Sequence, residues 1–226
     1  MKTYNSISHW NKFDGIGNTN CIAFDKLDGS NVRFEWNKNK GFFKYGTRTQ
    51  MISEKDETFG KAISIFMEKY SEDLSRIFTD NREYINCKSY VVFGEYFGFN
   101  SFAGRHEKED KKDVIIFDIS KYKHGLIDAK SFIKDFGHLD IPNIIYEGIL
   151  DENFINKVRN NDYNLKEGIV AKGTEFRKGK YYPWMIKVKT NQWLEKVKNK
   201  FGEKALLEEV NGDFSILENV TNRSKT

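Results

Sequence analysis

The sequence predicts an α+β fold built on mostly antiparallel sheets, and three observations lead there. Segments that alternate apolar and polar residues with a period of two sit among segments with apolar residues every three or four positions. The two kinds do not follow one another one for one, as a doubly wound parallel sheet would require. Aromatic residues make up 15% of the chain, with 19 Phe and 11 Tyr, which favours sheets that bury large side chains.

Residues 20–25 (Asn-Cys-Ile-Ala-Phe-Asp) read as a short buried strand running into Lys26. Val32, Phe34 and Trp36 then alternate with Arg33 and Glu35. After a turn at 37–41, residues 42–45 return as the second arm of a hairpin. From Glu54 to Phe78 the period changes: Phe59, Ile63, Phe66, Met67, Tyr70, Leu74 and Ile77 predict an amphipathic helix, or two in succession. Strands resume at 89–96 and 114–119, with a polar loop between them. Asp151 caps a short helix over 151–159. Residues 167–172 and 184–189 read as strands joined by a turn-rich stretch, 173–180. A helix follows from Asn191, and the tail 221–226 is expected to fray.

Composition narrows the function classes. With 37 Lys+Arg against 33 Asp+Glu, the net charge of +4 permits an anionic partner without demanding one. Cys21 and Cys87 are far apart, which argues against a disulfide framework or a zinc site and for a reducing compartment. The first residues lack an apolar signal region, and no stretch approaches the ~18 apolar residues of a membrane span. A soluble, monomeric, cytoplasmic protein is expected, with a virus-encoded protein acting in a host cytoplasm left open. His9, His106, His124 and His138 show no ligand spacing and are assigned to loops or helix ends.

Chemistry enters with Lys26-Leu27-Asp28-Gly29. A lysine ending a buried strand holds its amine on a rigid backbone, and the glycine lets a turn pass close to a ligand. Alone this signal is weak. Five further segments follow in order: Tyr45-Gly-Thr-Arg48-Thr49, Val92-Phe-Gly-Glu95-Tyr96, Ile116-Phe117-Asp118-Ile119, Glu167-Gly-Ile-Val-Ala-Lys172 and Met185-Ile-Lys187-Val-Lys189.

Together, from about Cys21 to Lys189, these resemble the ordered motifs of the covalent nucleotidyltransferases, which include DNA ligases, RNA ligases and mRNA capping enzymes. Asn31, where DNA ligases and capping enzymes usually place Arg, makes the chain most similar to the RNA ligase 2 type. Asp28 departs from the His common in that group. The resemblance implies an adenylylation domain of the ATP-grasp-like ligase kind, with antiparallel sheets flanked by helices. It implies ATP as AMP donor, Mg²⁺ or Mn²⁺, and RNA, as a nicked duplex or aligned ends, as substrate.

The same resemblance assigns roles. Lys26 is the nucleophile that attacks the α-phosphate. Its amine must be neutral to attack, so its ordinary pKa of ~10.4 has to fall through burial and nearby cations. Lys187 and Lys189 leave one face of one strand and bind the α-phosphate. Glu167 serves the metal. Lys172, which the resemblance gives to the nucleotide, lies an odd five residues on, so either the strand has a bulge or one of the two is not in the site. Phe117 stacks on the adenine, Glu95 takes the ribose hydroxyls and Arg48 holds a phosphate. Phe24 and Asp25 offer backbone to the adenine edge, and Asn31 completes the first motif. Asp118, expected on the face opposite Phe117, is structural. The stretch Arg177–Trp184 interleaves cations with aromatics, and either stacks bases or forms a plain hairpin.

Residues 1–190 are expected to form the adenylylation domain and 191–226 a short helical extension. Only 37 residues follow Lys189, too few for an OB-fold barrel. A minimal DNA or hybrid-nick ligase, a requirement for an accessory protein, and a catalytically inactive end-binding module remain alternatives.

Overall fold

The structure, a computed structural model, describes residues 1–99, 109–177 and 179–210, with only the backbone at Arg177. The chain divides into two compact units. One comprises Met1–Asn5 and Asp28–Pro142, the other Ser6–Leu27 and Asn143 onward.

The first unit is built on a six-stranded antiparallel sheet. Its strands are β3 (Ser30–Asn37), β4 (Gly41–Thr47), β5 (Met51–Ile52), β6 (Ser89–Phe97), β7 (Asp113–Lys121) and β8 (Gly125–Leu126), in the order β5-β4-β3-β6-β7-β8. Two helices, α1 (Gly60–Asp80) and α2 (Ala129–Phe136), accompany it. The apolar period of α1 buries Ala62, Ile63, Phe66, Tyr70, Leu74 and Phe78 in one core with Val32, Phe34 and Trp36 of β3. Aromatics fill that core: Phe34 stacks on Phe66 at 3.6 Å and Phe78 on Tyr90 at 4.0 Å. A single helix occupies the 54–78 region. It starts later than the sequence suggests because Asp56 Oδ1 accepts the amides of Thr58 and Phe59 in a turn before it.

The second unit carries a five-stranded sheet of β1 (Ser8–His9), β2 (Asn20–Lys26), β9 (Ile144–Ile149), β10 (Gly168–Arg177) and β11 (Lys180–Lys189), ordered β1-β11-β10-β2-β9. Helices α3 (Glu152–Arg159) and α4 (Asn191–Glu209) complete it. One face of the sheet is apolar: Cys21, Ala23, Ile169, Ala171, Ile186 and Val188 pack with Phe154, Ile155 and Val158 of α3. Asp151 caps α3 by accepting the Phe154 amide at 2.7 Å. In α4, Trp193, Leu194, Val197 and Leu206 form a third cluster across a break at Gly202 (φ +83°).

Two readings of the chain change. The stretch 173–180 is strand almost to its tip, because β10 runs to Arg177 and β11 starts at Lys180. Gly173 looked like a turn residue, but it pairs with Trp184 across the ladder, and a Cβ there would overlap the Trp184 ring. His9 lies in a strand rather than a loop, its ring buried. Short or edge strands such as β1 and β9 bury one side at most and leave little periodicity to read. The expected loop at 98–112 falls largely outside the described residues, as do His106 and the tail 221–226.

Candidate functional site

The polar face of the second unit's sheet follows from strand register. Lys26, Gly168 and Lys189 are cross-strand neighbours; so are Phe24, Val170 and Lys187; so are Ile22, Lys172 and Met185. Side chains alternate along each strand, so these three rows share the face opposite the α3 core. One face therefore carries Lys26, Lys172, Lys187 and Lys189.

Glu167 joins them, although five residues separate it from Lys172. It lies one residue before β10, and Gly168 at φ +157° turns the backbone, so strand alternation does not bind it. No register shift interrupts β10 between Gly168 and Lys172. Both residues thus reach one face with no bulge between them, an arrangement that neither alternative read from the sequence allowed for. Glu167 Oε2 accepts from Lys26 Nζ at 2.9 Å and its Oε1 lies 3.0 Å from Lys189 Nζ. Its backbone oxygen accepts the Thr190 amide at 2.9 Å. Burial alone would raise the Glu167 carboxyl; Lys26 and Lys189 outweigh burial and hold it below the usual range.

Gly168 admits no substituent. A Cβ there would overlap the Val188 carbonyl oxygen and come within 2.8 Å of Lys189 Cα. Gly168→Ala should cost about 3 kcal/mol of stability, through backbone strain and a displaced Glu167. A denaturant midpoint unchanged from wild type would show that the turn relaxes freely.

Lys189 is enclosed. Besides Glu167 it meets Glu209 Oε2 at 2.5 Å and lies 3.8 Å from the centre of the Trp193 ring. His9 is the parallel-ladder partner of Lys187 and donates from Nε2 to the Glu209 carbonyl at 2.9 Å. That bond fixes the tautomer, and burial followed by Lys187 lowers His9 to about 4. The end of α4 is thereby fastened to this face twice, by side chain and by backbone. Glu209, His9 and Trp193 were missed from sequence. Trp193 had a signal, four residues past Lys189 at the start of a helix; Glu209 and His9 had none.

Lys187 has no ion-pair partner among the described residues. Burial, then Lys189 and Lys26, lower its amine from 10.5 to about 8. Among the described residues, Lys187 therefore adds to this face a positive charge that no carboxylate pairs. The lowered value has a consequence for stability. Between about pH 8 and about 10.5 the unfolded chain keeps a proton that folded Lys187 has released, so stability rises with pH across that window. Lys187→Met should abolish that part of the rise, read as the wild-type-minus-variant difference in denaturant midpoint. A difference flat with pH would refute the assignment.

Around the lysines, Phe24 is buried, with Lys172 Nζ 5.0 Å from its ring centre. Asp25 points away from the lysine face. Its amide already donates to Asn143 O at 2.8 Å, so that group is not free to read an adenine edge. Burial, then Glu167, raise its carboxyl.

The remaining candidates lie in the first unit. Asn31 and Glu95 are cross-strand partners on the face away from α1, and the buried Asn31 Oδ1 has no hydrogen-bond partner among the described residues. Gly29 serves the fold: a Cβ there would sit 2.5 Å from Tyr96 O, so the close approach is to β6 rather than to a ligand. Phe117 is half-buried. The β6–β7 register shifts from Phe93↔Asp118 to Gly94↔Ile116, leaving Phe117 as the extra residue of a bulge. The expected alternation of Phe117 and Asp118 therefore fails. Both meet Tyr4, whose ring lies 5.1 Å from Phe117 and whose hydroxyl donates to Asp118 Oδ2. Tyr4, far off in sequence, was not anticipated. Arg48 is exposed in the bend after β4.

With this geometry in place, comparisons give context. Residues 19–189 match the RNA ligase family. The fold is similar to that of a Naegleria gruberi RNA ligase mutant solved with ATP and Mn, with a TM-score of 0.63 at 16% identity over 88% of this chain. The same enzyme solved with pyrophosphate gives 0.63 at 18%, and another mutant with ATP and Mn 0.62 at 20%, each over 88% of this chain. This chain spans 59% of the length of each of those structures. No curated protein matches it. Among the described residues, no helix is long and apolar enough to cross a membrane.

Proposed function

The chain belongs to the RNA ligase family, and on that premise we propose that it is an ATP-dependent RNA ligase working through AMP bound covalently to Lys26. The observation that carries this reading is the Lys26–Glu167–Lys189 chain, at 2.9 and 3.0 Å, on a face shared with Lys187, which has no ion-pair partner among the described residues. Such a face suits a triphosphate.

In the first step Lys26 Nζ attacks the α-phosphorus of ATP. A nitrogen–phosphorus bond forms, the bond to the bridging oxygen breaks and pyrophosphate leaves. The amine sheds its proton first; its side chain is 22% exposed, within reach of solvent. Lys187 and Lys189 meet the charge that develops on the phosphate oxygens. AMP then passes to a 5′-phosphate, and a 3′-hydroxyl displaces it to seal the strand. The motif resemblance assigns adenine to Phe117, the ribose hydroxyls to Glu95, and polar contacts to Arg48 and Asn31; these roles rest on motif order alone.

A divalent cation fits the donor set only as one carried in with the triphosphate. Among the described residues no group of three His, Cys, Asp or Glu could hold a metal, and both Glu167 oxygens already meet amines. Glu167 would take such a Mg²⁺ or Mn²⁺ alongside phosphate oxygens, and the ion would neutralise their charge.

The test is transfer of label from α-phosphate-labelled ATP to the protein, surviving a denaturing gel and requiring a divalent metal. A protein that never takes up label overturns the reading. Sealing compared on nicked RNA, nicked DNA and hybrid duplexes decides the substrate, with RNA expected to be preferred.

A further inference from the structure

The lysine face does not stop at the site. β2 pairs with β10 only over residues 168–172, and β1 pairs with β11 only at 186–187. Beyond those limits β10 and β11 pair with each other alone, as a two-stranded arm. Such an arm is marginally stable by itself and gains little from displaying apolar rings to water. Yet Phe176 is 61% exposed and Tyr181 72%. The two are register partners, with ring centroids 4.9 Å apart.

Their face is set by register. Phe176 lies four residues from Lys172, and Tyr181 six from Lys187, so both fall on the side of the sheet that carries the lysines. Glu175 and Tyr182, paired with each other, fall on the opposite side. Lys180 is exposed at the tip, within the basic sequence Arg177-Lys178-Gly179-Lys180. Exposed rings in line with amines, with the nearby carboxylate turned away, complement a strand of bases and phosphates.

We infer that Phe176 and Tyr181 form a stacking platform for the bases of the nucleic-acid strand whose end is processed on the lysine face, an inference that rests on the function proposed above. Six residues of strand span ~20 Å, comparable to roughly six stacked nucleotides. Bases near the end therefore fall short of the platform, and bases further along reach it.

The experiment measures binding of 5′-phosphorylated single-stranded RNA oligonucleotides, about three and about ten nucleotides long, at fixed salt. Wild type should bind the longer one more tightly. Phe176→Ala/Tyr181→Ala should weaken binding of the longer oligonucleotide about tenfold and leave the shorter unchanged. Both positions are exposed, so the variant should keep the wild-type melting temperature. Tyr182→Ala, on the opposite side, is the control and should bind as wild type does.

Several outcomes overturn the platform: no length dependence in wild type, an unchanged affinity in the double variant, or an equal loss in Tyr182→Ala. Wild type that self-associates while the double variant is monomeric, with RNA affinity unaltered, assigns the rings to a second copy of the chain instead. Labelling of wild type by ATP is measured in parallel. Absent label with length dependence intact defeats the ligase reading alone; label present without length dependence defeats the platform alone.

Discussion

Lys26→Ala and Lys26→Arg should both end AMP transfer to the protein, lowering labelling by roughly 10³-fold or more, as loss of a covalent nucleophile does. The arginine variant is the more informative. It keeps a cation able to pair with Glu167, so stability should stay within about 1 kcal/mol of wild type. A guanidinium does not deprotonate in a protein and so cannot attack phosphorus. Retained fold with lost labelling then isolates nucleophilicity from packing. Labelling that survives in either variant would shift the role to another amine. Lys187 is the first alternative, since it ionises at about 8 and lacks a carboxylate partner among the described residues.

Glu167→Gln should show the second large effect, on stability and on labelling together. The carboxylate is 4% exposed and is shared by two amines. Removing one partner of a buried ion pair costs about 3–5 kcal/mol. The lower end is expected here, because Lys189 keeps Glu209 and the Trp193 ring. The pH dependence carries a sign. Folded Glu167 titrates below its ordinary 4.5, so the stability it contributes is present above that value and is lost as pH falls through the lower folded pKa. The difference between wild type and variant should therefore shrink on acidification below about pH 4.5. A difference independent of pH would mean that the carboxylate does not act through charge. Labelling should fall in parallel, since Glu167 sets where the Lys26 amine rests.

Local pattern carried much of this in advance. The alternation of Val32, Phe34 and Trp36, the apolar period from Ile63 to Leu74, and the Asp151 cap each reflect interactions within one element, and the structure shows each of them. Lys187 and Lys189 share a face because alternation along a strand is a local property. Where the reading fails, a partner distant in sequence intervenes. Gly173 is strand because Trp184 lies over it. Phe117 and Asp118 lose their alternation because β6 imposes a register shift. His9 is buried because a two-residue strand adds to β11.

The sequence alone determined the α+β class, the membership of the RNA ligase family and the shared face of Lys187 and Lys189. Those depend on periodicity and on the order of short motifs, which are properties of the linear chain. Only the tertiary structure decided that Gly168 turns Glu167 between Lys26 and Lys189, that Glu209 closes over Lys189, and that Tyr4 braces Phe117. The physical reason is that buried charge must be neutralised by whatever lies nearest in space, and nearness in space depends on strand register and backbone turns that no single segment specifies.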